Sequence, residues 1–459
     1  MNERSVENSL GSAPELSLIR KYCVPTVISM TAGAIYNIVD QIFIGRGVDL
    51  LGIAATNITF PISTITIALA IMLGIGGAAN YNLMSGAGKG ETAKQFLGCS
   101  LSALMLCGVA LMALILIFLR PVLSLLGATS ASWEYARLYL LITALGIPFY
   151  VLGQGGGHLV RADGSPNFSL ALNLAGAIIN LILDPILIFV FHLGIAGAAI
   201  ATVIGQWASG LMVLYYFGRR SNIKLQREHL ALRWELLCRI VKAGLAASIT
   251  NGALTVSQIV MNHAIKAYGA ASAYGPDLPM ACVGIVTKVG QVFNSVCIGI
   301  HQGCQPIFGF NYGARRYAHV KTTYRYAAMI CMLLGLVFLL CVELLPRQIV
   351  ILFGAETEDY IAFAVRFLRI YLMMSVLSSC FILISGFFTA IGRPGIGALL
   401  ACVKYFFTLI PLILILPTFA GVSGIAFSGP ISDFIAIVCA FAFARAEFRK
   451  MDANTRTMD

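Results

Sequence analysis

The chain of 459 residues is 59% hydrophobic and only 11% charged, and its mean hydropathy of +0.86 excludes a water-soluble globular protein in favour of an integral membrane protein. The net charge of +11 would suit nucleic acid if it covered one face, but the Lys and Arg fall between apolar runs, so membrane orientation explains them and no nucleic-acid partner is expected. Those runs reach 20 residues or more, which excludes strands of about 10 alternating residues and predicts an all-α bundle rather than a barrel.

In chain order, twelve spans are predicted at 16–44, 52–82, 95–119, 134–157, 167–191, 195–218, 236–265, 278–308, 321–345, 358–388, 396–418 and 421–445. The first lies behind a polar tail, contains Pro25 and Asp40, and shows no small-residue cleavage site, so no removable signal peptide is expected. An N-terminus in the cytoplasm collects on that side Arg20, Lys21, Lys89, Lys94, Arg161, Arg219, Arg220, Arg315, Arg316, Lys321, Arg393, Arg445 and Arg449. The opposite side keeps little beyond Arg46, Arg120, Lys266 and Arg347. Both termini are therefore expected in the cytoplasm of a plasma-membrane protein. The only long polar linker, 219–235, separates an N-terminal lobe at 1–218 from a C-terminal lobe at 236–459. The 12 cysteines sit mostly inside apolar runs without C-x-x-C spacing and are read as small packing residues.

The two halves repeat. Residues 125–128 (Leu-Leu-Gly-Ala) answer 352–355 (Leu-Phe-Gly-Ala), Gly164 answers Gly392, Asp184-Pro185 answers Ile410-Pro411, and Gly194 and Gly197 answer Gly421 and Gly424. Earlier in each half, Gly74 and Gly88 answer Gly299 and Gly313. Six spans per unit is an even number, so the halves share one orientation and are related by a pseudo-two-fold along the membrane normal. Such a pair leaves a cleft between two six-helix bundles, where transporters hold substrate near the midplane.

Two lone acids mark the first half. Asp184 lies in the apolar run 168–191, where a carboxylate costs roughly 2.5–3.5 kcal/mol even on insertion scales and is unlikely to persist without a task. Asn180 lies one turn earlier on the same face, and Pro185 leaves a backbone carbonyl without its donor, so this segment offers several oxygens. Counted from the outer ends of their spans at about 1.5 Å per residue, Asp40, Asp184 and Thr202 all lie roughly 6–10 Å deep and could meet. Two carboxylates close together in low dielectric cannot both stay ionised cheaply, so such a pair takes a proton or shares a hard cation through oxygen ligands. The competing reading is that Asp184 is a helix-to-helix hydrogen-bonding group and Asp40 an interfacial residue.

In Tyr36-Asn37-Ile38-Val39-Asp40 with Gly45, Arg161-Ala162-Asp163-Gly164, 180–185, Gly194 to Thr202, and Gln302 to Pro306 leading to Asn311-Tyr312-Gly313-Ala314, the chain resembles the multidrug and toxic compound extrusion (MATE) family, and within it the MepA-like branch. The likeness runs over essentially the whole length. It implies a V-shaped cleft between two bundles and secondary active efflux of cationic or amphipathic organic compounds in antiport with protons or sodium, by a monomer without a cofactor. It also maps the family's cation site onto Asp40, Asn180, Asp184 and Thr202, with sodium at Asp40 and Asp184 the one metal in question. Some members couple through acids in the seventh and tenth spans, but here those spans offer only Gln258, Asn262, Ser375, Ser378 and Ser379. Met261 and Ile410 stand near the places that answer Asp40 and Asp184, so coupling is expected in the first lobe alone.

Other polar residues are open to two readings. Tyr36, Asn37, Gln154, Asn173, Gln258, Met261, Asn262 and Phe293 are candidates for lining the cleft, with packing in the bundle as the alternative. Pro25, 15 residues before Asp40, is a candidate hinge or a static kink. Asp433 and Lys288 are expected to pair across the second lobe, chiefly as a structural salt bridge. Arg161, Asp163, Arg315 and Arg316 are read as loop residues that serve orientation and inter-helix pairing, and His263 and His301 as interface residues before proton carriers. A flippase for lipid-linked sugars is the nearest rival function, but it calls for several Arg in the cleft where this chain has acids. A membrane enzyme is disfavoured because no Asp-rich magnesium motif, His-Glu zinc motif or nucleophile elbow occurs.

Overall fold

The structure, a computed structural model, describes residues 10–47, 50–130, 132–270, 275, 277–352 and 357–456; within these, the side chains at 37, 38, 40–47, 50, 51, 53 and 277 lie outside the description. Among the described residues every element is helical. The first half runs α1 (Glu15–Gly47), α2 (Leu50–Gly86), α3 (Gly90–Ile117), α4 (Leu119–Leu125), α5 (Trp133–Ala144), α6 (Ile147–Ala162), α7 (Pro166–Pro185) and α8 (Gly194–Tyr215). The second runs α9 (Trp234–Ala270), α10 (Asp277–Gly313), α11 (Tyr317–Leu344), α12 (Pro346–Leu352), α13 (Glu358–Leu372), α14 (Ser375–Ala390), α15 (Pro394–Cys402) and α16 (Ile410–Arg456). Seven described helices are long and apolar enough to cross a bilayer, or nine when the pairs α5–α6 and α13–α14, bent by 54° and 44°, each count as one span.

Backbone geometry carries the repeat. Gly164 (φ 89°) and Gly392 (φ 81°) both close a helix in the left-handed region, each followed by a residue whose N–H reaches back five positions; this is the cap that only glycine adopts without strain. Gly194 (φ 54°) and Gly421 (φ 57°) likewise match. The mate of Gly88 (φ 73°) is Arg315 (φ 57°), two residues beyond the glycine that sequence alignment selects. Residues 353–355 of the other repeat lie outside the description.

Two hairpins follow from these turns. Gly176 packs on Gly205, and Asn180 on Thr202, which folds α8 back on α7. At Gly421 (ψ −150°) α16 breaks, and Thr408 meets Ser432 at 2.8 Å, so the stretch around this residue is also an antiparallel pair. The apolar residues of 55–240 form one core, and those of 253–426 a second. A third core joins the start of α1 to α10, α11, α14 and the end of α16. Large apolar side chains such as Leu333 and Phe434 stay exposed on the outside, the surface a lipid environment requires.

The halves meet along a seam. A methyl group added to Gly299 or Gly303 of α10 would come within 2.6 Å of the Cα of Val27 or Cys23 on α1, so glycine sets how closely these helices cross. Gly244 of α9 lies against Met72 of α2, and Gly313 of α10 against Leu83. Asn311 donates to Leu10 O at 3.0 Å and Arg316 to Gly11 O at 2.6 Å. This end of the molecule thus carries both described termini and the closest contacts between the halves.

Candidate functional site

Asp184 stands one residue before the point where the α7 ladder fails. Pro185 has no N–H for the carbonyl of Leu181, and a π-helical turn, 186–190, follows, with Phe191 N donating to Ile186 O at 3.0 Å. Such turns shift the helical register and re-aim side chains. The Asp184 side chain is fully buried and Asn180 is 2% exposed. Thr202 reaches them because the facing helices touch at glycine: a Cβ on Gly205 would lie 2.6 Å from Gly176 O.

Asn180 ties the cluster together. With its amide nitrogen turned toward the carboxylate, it donates to Asp184 Oδ2 at 2.8 Å and to the Tyr36 hydroxyl oxygen at 2.7 Å, while its carbonyl accepts from Thr202 N at 3.0 Å. The opposite orientation would point two donors at each other. The Thr202 hydroxyl, 3.3 Å from the amide oxygen, gives its proton to Ala198 O at 2.9 Å, leaving its own oxygen as an acceptor. Asn180, Asp184, Thr202 and Tyr36 therefore form one oxygen-rich group drawn from α7, α8 and α1, buried at Asn180 and Asp184 and half-buried at Thr202 and Tyr36. Tyr36, expected to line the cleft, belongs to this group. Asp40 lies one turn further along the same face of α1, but its side chain, like that of Asn37, is outside the described residues.

The remaining cleft candidates scatter. Asn173 donates to Ser29 Oγ at 2.9 Å and so bridges α7 to α1. Gln154 and Asn262 are exposed, and Gln258 donates to Asn262 at 3.2 Å along one face of α9. Met261 and Phe293 are buried, Phe293 stacking on Phe338 with ring centroids 4.2 Å apart. Pro25 sits in an unbroken α1 between Cys23 and Val27, the two residues that α10 glycines clamp; next to it Thr26 donates to Tyr22 O at 2.7 Å.

In the second half the charged pair differs from the expected one. Asp433 binds Lys404 at 2.7 Å, not Lys288, which is exposed on α10. Lys404 sits in a second π-helical stretch, 403–409, donates to Ser378 Oγ at 3.2 Å and lies 4.7 Å from the Phe381 ring centroid. Sequence reasoning missed Lys404, although a lone lysine in the apolar run 396–418 was the signal that could have found it.

Arg161 pairs helices as expected but is not in a loop. It is a helical residue of α6, 3% exposed, and crosses the seam to donate to Gln302 Oε1 at 3.2 Å; His158 Nδ1 lies 3.4 Å away. Asp163 is held by Tyr216 at 2.7 Å, by Ser221 at 2.9 Å and by the N–H of Asn222 at 2.9 Å, which fastens the start of the linker to the end of α6. His301 rests against Gly386 inside the second half, and His263 is exposed. Seven of the cysteines are buried, as small apolar packing residues are.

Three comparisons bear on this arrangement. The family model described as MatE matches residues 25–186 and 248–415, one stretch in each half. The Multidrug export protein MepA of Staphylococcus saprophyticus is 26% identical over 422 residues, 92% of this chain and 91% of that protein. Its counterpart in Staphylococcus aureus is 26% identical over 438 residues, 94% of this chain and 93% of the relative. Among solved structures, an outward-facing multidrug resistance MATE family transporter of the MOP superfamily superposes with a TM-score of 0.90 at 22% identity, covering 97% of this chain and 98% of that one.

Proposed function

The chain belongs to the MatE family of membrane transporters, and from that premise we propose that it exports cationic or amphipathic organic compounds in exchange for protons or sodium. The observation that carries the proposal is the fully buried Asp184, bound by Asn180 and grouped with Thr202 and Tyr36. A carboxylate there can bind a proton or, with the Asn180, Thr202 and Tyr36 oxygens, a hard cation such as sodium. Asp40, one turn beyond Tyr36, supplies the second carboxylate. The names of the staphylococcal relatives support multidrug efflux as the activity.

The arrangement in the membrane is part of the same reading. The count is twelve spans: the seven single helices and two bent pairs, one more because the stretch 394–456 turns at Gly421, and the long helices α1 and α9, of 33 and 37 residues. They form lobes at 1–218 and 236–459 joined by the linker 219–235, in a monomer of the cell membrane with both termini in the cytoplasm. The closest interlobe contacts lie at the terminal end, so the cleft opens outward, the state named for the similar solved structure. Gln154, Asn173, Gln258 and Asn262 then face substrate in alternating access, with Pro25 as the flexing point of α1. The test is efflux of a fluorescent organic cation from inverted vesicles with proton and sodium gradients imposed separately. Uptake driven by one of them is expected, and uptake driven by neither would refute antiport.

A further inference from the structure

A second cavity lies outside the coupling group, at the end that carries the termini. It occupies about 440 Å³ between the second and third turns of α11 and the last turns of α16. Lys321, Tyr324 and Arg325 reach it from one stripe of α11, and Phe441, Arg445, Phe448 and Arg449 from one stripe of α16, at the three- and four-residue spacing that puts side chains on a common face. Four cations face a single acid, Asp452, which already pairs with Lys321. Glu447, the nearest other acid, turns away to Arg393 at 2.5 Å and Tyr312 at 3.2 Å.

The floor is apolar where the rim is charged. Tyr324 is buried and its ring packs on Phe448 with centroids 4.9 Å apart. Below the cations both helices continue as exposed apolar stripes, with Phe434, Val438 and Phe441 on α16 and Met329, Met332 and Leu336 on α11. From Arg445 to Phe434 the stripe descends about 16 Å at 1.5 Å per residue, the direction in which a hydrocarbon chain would run.

We propose that this groove binds one anionic phospholipid. Its phosphate sits among Arg325, Arg445 and Arg449, whose planar forks match phosphate oxygens, and an acyl chain follows Phe441 and Val438 toward the bilayer interior. Basic pockets between helices on the cytoplasmic side hold such head groups. The volume admits a glycerophosphate and its first methylenes, and a water-soluble anion would leave the aromatic floor uncovered. Only the identity of the supplying leaflet rests on the transport reading above.

The experiment is native mass spectrometry of the full chain in detergent, supplied with equal phosphatidylglycerol and phosphatidylcholine. No gradient is present, so failure of the antiport reading leaves the result intact. One phosphatidylglycerol should be retained at least tenfold over phosphatidylcholine, and Arg445→Gln with Arg449→Gln should reduce that preference about tenfold, which is about 1.4 kcal/mol. Arg219→Gln with Arg220→Gln, two exposed cations of the linker start, should leave it unchanged. Equal retention of both lipids by the unmodified protein would overturn the proposal, whether or not the variants fold. So would an equal loss in the linker variant, which would mean diffuse surface charge, or displacement of the lipid by millimolar glycerol phosphate, which would mean a free-phosphate site.

Discussion

Each half of the chain holds a carboxylate within an apolar helical layer, Asp184 fully buried and Asp433 partly so, and the two are held in opposite ways. Asp184 takes a hydrogen bond from the Asn180 amide in a group with Thr202 and Tyr36, whereas Asp433 is locked to the Lys404 ammonium at 2.7 Å. Protonating Asp433 would leave an ammonium uncompensated in low dielectric, a cost of several kcal/mol. Protonating Asp184 exchanges one hydrogen-bonding pattern for another. On the coupling reading proposed above, the same residue type serves as an exchangeable site in one half and a fixed strut in the other, and the partner decides which.

The largest effect that could break this contrast is on transport. Asp184→Asn keeps the volume and removes the charge, so gradient-driven efflux should fall at least tenfold while the purified protein still binds drug; efflux at the normal rate would remove Asp184 from coupling. The second effect is on stability. Lys404→Met leaves the partly buried Asp433 without its ammonium and should cost about 1–3 kcal/mol, seen as a lower thermal midpoint, and adding Asp433→Leu should restore most of it with efflux retained. A double variant that folds but does not pump would make the pair functional instead of structural.

Smaller effects sharpen the picture. Gly205→Ala puts a methyl 2.6 Å from Gly176 O and should push α8 off α7, costing about 1–3 kcal/mol and weakening ion dependence by several-fold in an efflux titration. Gln258→Ala or Asn262→Ala should shift relative export of different drugs a few-fold without moving the pH profile; a moved profile would place coupling in the second half. Pro25→Ala should slow efflux about twofold with ion affinity unchanged, because it restores one helical hydrogen bond in a segment clamped by Gly299 and Gly303.

Much of this was legible in the chain because helices convert spacing into position. Asn180 and Asp184 are one turn apart, and equal depth in adjacent antiparallel spans put Thr202 beside them. The turns at Gly164 and Gly392, and at Gly194 and Gly421, were visible as a repeat because each needs a left-handed residue. Contacts between distant elements were not legible. Asp433 was matched to Lys288, and its pairing with Lys404 instead depended on how the hairpin at Gly421 folds. Arg161 read as a loop cation because its acceptor, Gln302, lies in the other half. The bend within 358–388 carries no proline, and that within 134–157, although Gly146 and Pro148 stand at it, leaves no mark in hydropathy.

The most direct test is the cation released when drug binds. In weakly buffered detergent solution, addition of an organic cation to the purified protein should release protons, or bound radioactive sodium at fixed pH. The Asp184→Asn variant should release neither, and the Lys404→Met, Asp433→Leu variant should match the unmodified protein. Normal release by Asp184→Asn, or its loss only in the second-half variant, would contradict coupling at the first-half carboxylate.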